Sequence, residues 1–175
     1  ISFFVYEEYT DSSNQPQKLP VSDAKVTIYK RNNTEVIQGI TDVDGKITLK
    51  NILVEDTEEY SYGVTKMGYE ASNKESIEDL YKGDYVTTPI EQAIIMSEIE
   101  VSSSKIELEK GKTAAILVTN EIKNQNKGEF GYTWQTSEEQ VAVVDGNGTI
   151  TGIGKGPAVI TVSRNNQKKE IPVTV

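Results

Sequence analysis

With 175 residues, a net charge of −9 and neither cysteine nor histidine, the chain lacks disulfides, thiolate nucleophiles, imidazole acid–base groups and the usual ligands of a zinc site. Its acidity opposes binding to nucleic acid or to an anionic membrane surface. No run reaches the roughly 18 apolar residues of a membrane span, so insertion of this segment into a bilayer is not expected.

The charge is unevenly shared. Residues 1–97 hold 17 acidic and 9 basic side chains, a net −8, while residues 98–175 hold 10 and 9, a net −1. Residues 2–9 alternate apolar with polar from the very start, which reads as a strand inside a segment cut from a longer protein. Residues 11–20, with Pro16 and Pro20, read as a polar loop. Residues 24–30 alternate again, with Val26 and Ile28 on one face. Residues 35–40 and 47–49 are expected to pair with each other across Thr41-Asp42-Val43-Asp44-Gly45-Lys46. Residues 60–66 form a further strand leading to Met67-Gly68-Tyr69. Residues 74–85 hold the one helical signal: Ile77, Leu80 and Tyr81 share a face at i, i+3 and i+4, and Gly83 could end the turn. Residues 85–96 return to a strand pattern.

The second half begins with short strands at 98–101 and 106–108, a turn at 109–112, a strand at 114–118 and a polar loop at 120–131. Residues 134–162 then give strand, turn, strand, turn, strand. Their turns are Asp145-Gly146-Asn147-Gly148 and the glycine-rich 152–157, and both clusters supply residues that tolerate positive φ. A last strand occupies 169–175. Many short strands punctuated at 8–12-residue intervals specify an all-β fold. We read it as two tandem β-sandwich domains, 1–97 and 98–175, with Trp134 between the sheets of the second. The junction at 96–100 has neither Gly nor Pro, which predicts a short, semi-rigid joint.

Four patterns carry possible chemistry. Asp42-Val43-Asp44-Gly45 is a fragment of a calcium loop, making Asp42 and Asp44 the metal candidates. It lacks a third ligand and the terminal glutamate, which Glu55, Asp56, Glu58 and Glu59 could supply only if the fold brought them close. Tyr60, Tyr62, Tyr81 and Tyr85, with Tyr69 nearby, could stack on sugar rings, the alternative being core and rim tyrosines. Ser102 and Lys105 have the S-x-x-K spacing of penicillin-binding enzymes but lead into a strand rather than a helix. Residues 152–156 (Gly-Ile-Gly-Lys-Gly) mimic a phosphate loop yet feed Pro157 and a β-rich run, not a helix N-terminus. No catalytic residue and no cofactor are expected.

The strand Pro20-Val21-Ser22-Asp23-Ala24-Lys25-Val26-Thr27-Ile28-Tyr29, the turn at 41–46 with Ile47-Thr48-Leu49, and residues 60–69 resemble the carboxypeptidase-regulatory-like and collagen-adhesin B-type modules. These are small prealbumin-like, or transthyretin-like, sandwiches. The resemblance covers residues 5–96, with 74–85 as an insertion. Such modules often carry a Lys–Asn isopeptide bond between first and last strands; residues 2–9 have no lysine and 85–96 no asparagine, so none is expected at those positions. The rest of the chain, 99–175, resembles the bacterial immunoglobulin-like group 2 domain. The motifs are Val101-Ser102, Ile106-Glu107-Leu108 before Lys110-Gly111, Trp134-Gln135-Thr136-Ser137, Val141-Ala142-Val143-Val144-Asp145, Gly148-Thr149-Ile150-Thr151-Gly152 and Gly156-Pro157-Ala158-Val159-Ile160-Thr161-Val162. Pro157 departs from the family's usual residue.

These resemblances imply spacer or binding modules of bacterial adhesins, secreted polysaccharide-degrading enzymes or phage structural proteins. The expectation is a non-enzymatic stalk, spacer or adhesion segment of an exported bacterial surface protein. Its partners would be other domains of the same parent chain and a cell-surface glycan or protein receptor. The alternative is an accessory carbohydrate-binding or spacer module of a secreted glycan-degrading enzyme. A catalytic domain would need a convergent site built from carboxylates, lysines and tyrosines alone.

Overall fold

The computed structural model describes residues 1–55, 58–77, 88–122 and 131–175. Among these every regular element is a β-strand, and the chain separates into two compact units, Ile1–Ser97 and Glu98–Val175. No helix of the described residues is long and apolar enough to cross a membrane.

The first unit holds β1 (Ser2–Thr10), β2 (Pro16–Pro20), β3 (Lys25–Lys30), β4 (Glu35–Ile40), β5 (Lys46–Thr48), β6 (Tyr60–Thr65), β7 (Glu75–Ser76) and β8 (Ile90–Ala93). One sheet is organised on β1. The strands β2 and β5 follow one another antiparallel along one edge, and β8 lies parallel along the other. The second sheet has the order β4-β3-β6-β7. Strict alternation turns Phe3, Val5 and Glu7 of β1 inward, where Phe3 and Val5 are fully buried. Phe3 meets Tyr62 of β6 across the core, ring centroids 5.0 Å apart at 57°. Burying a side chain of this size is worth about 1.5–3 kcal/mol.

Three expectations are corrected here. Residues 16–20 are not loop but the edge strand β2, paired with β1 from Thr10↔Pro16 to Tyr6↔Pro20. Its prolines stand at the two ends of a strand with only one neighbour, which is where a missing N–H does no harm. The strands β4 and β5 do not pair with each other: β4 pairs with β3 and β5 with β1. The turn at 41–46 therefore carries the chain from one sheet to the other, and β4 meets β5 face to face. A Cβ on Gly39 would collide with Ile47 Cδ1 and lie 2.9 Å from Leu49 Cδ2, so the bare backbone makes room for both. The helical signal also fails where it can be followed. Glu75 and Ser76 pair as a strand with Tyr62 and Ser61, and Ile77 is buried beside them. Leu80, Tyr81, Gly83 and Tyr85 lie outside the described residues.

The second unit holds β9 (Ile106–Glu107), β10 (Thr113–Ala115), β11 (Thr133–Thr136), β12 (Ala142–Val144), β13 (Thr149–Gly152), β14 (Pro157–Arg164) and β15 (Gln167–Thr174). Its sheets have the orders β10-β13-β12 and β11-β14-β15-β9. The longest hairpin joins β14 to β15 over eight residue pairs through Asn165, φ 52°, and Asn166. Ile160 opposes Ile171 and Ala158 opposes Val173, all four facing inward; a one-residue slip would turn them all to solvent. Trp134 shares the inner face with Val162, its partner in register. It is half-buried rather than enclosed, and its six-membered ring closes over Gly148.

Gly148 combines φ 81° with a crowded position: a Cβ there would run into Ile116 O and lie 2.8 Å from Trp134 Cζ2. Gly148→Ala is expected to cost about 2–4 kcal/mol in denaturant unfolding, the sum of a left-handed alanine and local overpacking. Gly146→Ala, with nothing within 4 Å of the added carbon, should stay within about 0.5 kcal/mol of the parent.

Candidate functional site

The calcium fragment proves to be one copy of a recurring turn. Asp42 Oδ1 accepts hydrogen bonds from the backbone N–H groups of Asp44 and Lys46, each at 2.9 Å. Asp145 Oδ1 accepts from Asn147 and Thr149 at 2.9 and 2.8 Å, and Asp11 Oδ1 from Ser13 and Gln15 at 2.9 Å. In each turn the first residue also donates to the carbonyl of the fifth, and the fourth donates back to the first. That fourth residue, Asn14, Gly45 or Gly148, has positive φ, the left-handed step that completes a three-residue reversal. Residues 30–34 repeat the backbone with Asn33 at φ 67°. Lys30 cannot cap there, and Asn32 Oδ1 accepts from Thr34 N instead. The aspartates therefore serve backbone reversals. Thr149 N–H, with Asn147 N–H, holds the Asp145 carboxyl below its ordinary range, and Gln15 N–H, with Ser13 N–H and the Gln17 amide, does the same for Asp11.

Asp44 is exposed, and no three carboxylates converge among the described residues. The second acidic cluster is engaged elsewhere. Glu55 pairs with Lys30 at 2.5 Å, Glu58 accepts from Arg31 N at 3.2 Å, and Glu59 lies 3.5 Å from the Arg31 guanidinium. Asp56 lies outside the described residues.

The tyrosine platform is corrected for the members that lie among the described residues, with Tyr69 buried at 6% exposure. Tyr60 and Tyr62 are only 2% and 3% exposed, so neither offers a ring face to a sugar. Tyr60 Oη accepts from Glu55 N at 3.0 Å. Tyr62 Oη lies 2.9 Å from both Glu75 Oε2 and Gln92 Oε1; burial, reinforced by the Glu75 carboxylate, pushes its phenol well above the ordinary range. Tyr81 and Tyr85 lie outside the described residues. Among the described residues no aromatic ring is fully exposed, and the Tyr29 face is already covered by Lys74 Nζ at 3.6 Å.

The remaining patterns also resolve into local structure. Ser102 Oγ accepts from Leu117 N at 3.0 Å, whereas Lys105 Nζ reaches Glu107 at 3.4 Å. In the glycine-rich turn the N–H groups of Gly152, Gly154 and Gly156 donate to the carbonyls of Lys112, Val141 and Val175, which leaves those amides committed to the chain itself. The sequence reading passed over one buried group that period-two alternation does indicate. Glu7 continues the inward phase of Phe3 and Val5, is 3% exposed, and accepts a 2.7 Å hydrogen bond from Tyr69 Oη. Lys66 Nζ donates to Ser22 O, and burial holds its ammonium below the ordinary lysine range.

Residues 117–166, which contain β11 through β14, match the family model described as the immunoglobulin-like domain of intimin. The second unit is similar to a bacterial immunoglobulin-like domain over that stretch. An α-L-arabinofuranosidase of Bifidobacterium longum is 34% identical over 101 residues, 55% of this chain; the chain spans 9% of that protein's length. Among solved structures, domains 4 and 5 of the S-layer protein SbsC align with 96% of this chain and 89% of theirs, at 18% identity and a TM-score of 0.41. The Bacillus anthracis TIE protein aligns with 97% of this chain and 31% of its own, at 16% identity and a TM-score of 0.34.

Asp145→Ala is expected to lower Tm at pH 7. Because the folded carboxyl titrates below its unfolded value, that stabilisation is present above pH ~4 and is lost as pH falls through the folded value. Thermal melts of both proteins should therefore converge in acid. Tyr62→Phe should cost about 1–2 kcal/mol by leaving the buried Gln92 oxygen without the hydroxyl that it shares with the exposed Glu75.

Proposed function

We propose that the chain is a non-enzymatic spacer or adhesion segment of an exported bacterial cell-surface protein. It acts alongside other domains of the same parent chain, with a cell-surface glycan or protein as the external partner. The observation that carries this reading is the match of residues 117–166 to an intimin immunoglobulin-like domain. It is supported by the commitment of the described candidate groups to turns, pairs and core rather than to one convergent site. On this reading residues 98–175 form a group 2 bacterial immunoglobulin-like module and residues 1–97 a prealbumin-like module. The motif strings around Trp134-Gln135-Thr136-Ser137 and Thr41-Asp42-Val43-Asp44-Gly45 support the two assignments.

A second reading is favoured by one observation of its own, the 34% identity to part of an arabinofuranosidase. There the chain would be an accessory module of a secreted glycan-degrading enzyme.

Antibodies raised against the chain should label intact cells of the producing organism, with the label removed by external protease. Labelling only after permeabilisation would overturn the surface reading. Titration with arabinose-containing oligosaccharides is expected to give no binding heat, and saturable binding would favour the accessory role.

A further inference from the structure

In each unit the first and the last strand are neighbours that point the same way, although in the second the chain reaches β9 only after the antiparallel bridge Val101↔Val118. In the first, β1 and β8 are parallel with Phe3↔Ile90, Phe4↔Glu91, Val5↔Gln92 and Tyr6↔Ala93, and Ile94 N continues the ladder by donating to Tyr6 O at 2.9 Å. In the second, β9 and β15 are parallel with Ile106↔Val173 and Glu107↔Thr174, and Leu108 N donates to Thr174 O at 2.9 Å. Other arrangements of terminal strands, antiparallel or in separate sheets, are equally compatible with an all-β unit.

We propose that both units are force-bearing clamps, loaded in shear when tension runs along the chain. A pull on the entry of β1 and the exit of β8 draws two parallel strands lengthwise past each other. Every hydrogen bond of the ladder then carries load at once, whereas strands pulled apart from a common end open one bond at a time. The first unit is the stronger clamp. Its ladder spans four residue pairs against two. The strand β1 is also held along its other edge by β2 and β5, and anchored by the fully buried Phe3 and Val5. Past the ladder, the exit segment is fixed again where Glu70 N donates to Ile95 O and Ser97 N to Gly68 O. The substrate of this function is mechanical load, and the inference rests on the surface-segment reading, since only a chain anchored on one side and engaged on the other is stretched.

Single-molecule stretching of the full chain between handle domains at its two ends tests this. Two rupture steps are expected, releasing about 350 and about 280 Å of chain at ~3.6 Å per residue for Ile1–Ser97 and Glu98–Val175, the longer at the higher force. The chain has no cysteine, so a thiol introduced by Thr88→Cys at an exposed position just before β8 is a unique second handle. Pulling between that thiol and residue 1 loads β1 and β8 from the same end, and the rupture force should fall by at least about twofold. Equal or greater force in that geometry, or rupture of the longer unit at the lower force, would overturn the clamp. A weak clamp with intact surface labelling removes this inference alone, whereas absent labelling with a strong clamp removes the surface reading and leaves a shear geometry with no load to bear.

Discussion

A strand that buries one face and hydrogen-bonds along its edges can reverse only where the backbone turns tightly without stranding its own amides. In this chain that requirement is met repeatedly by one device. An aspartate carboxylate accepts the amides two and four residues on, and a residue in the left-handed region sits three positions on, as at Asp11–Asn14, Asp42–Gly45 and Asp145–Gly148. Once those reversals are fixed, register follows, and with register the inward phase of every strand they join. The core composition is a downstream result. Phe3 and Val5 on β1, and Ala142 and Ile150 on β12 and β13, are buried because the turns leave them on the inner side of a sheet.

The same device gives residue types associated with metal binding a structural role in each of these turns. Asp42 Oδ1 is occupied by two amides at 2.9 Å, so that oxygen serves the turn, whatever the other does. The spacing D-x-D-G suits both roles because both exploit a tight turn with a glycine at the left-handed position. Only the surrounding ligand set separates them, and the acidic side chains of 55–59 that can be followed turn toward Lys30 and Arg31.

Much of the architecture was legible in the sequence, and the failures have a common cause. Period-two alternation located β1, β3, β6 and β14, and Asp-Gly and Asn-Gly located the β12–β13 reversal, because these signals are local. What alternation cannot contain is the identity of a strand's neighbour. Residues 35–40 and 46–48 lie either side of a tight turn, yet they belong to different sheets because β3 and β1 offer longer partners. The edge strand β2 was hidden by prolines whose cost vanishes only when one edge is free. The fate of Tyr60 and Tyr62 was readable in principle, since they share the parity of buried Val64. Aromatic residues next to an acidic loop nevertheless suit a rim as well as a core. Glu7 was missed because its charge outweighed its parity, although a buried carboxylate is tolerated once a phenol donates to it.

The pairing of Phe3 with Ile90 also has a consequence for biogenesis. The organising strand of the first unit leaves the ribosome first, and its parallel neighbour appears only when nearly the whole unit has been synthesised. Such a high-contact-order closure delays completion of the sheet, because local hairpins cannot substitute for the missing edge. A nascent chain with this topology keeps that edge of the first sheet open until both terminal strands are available to pair.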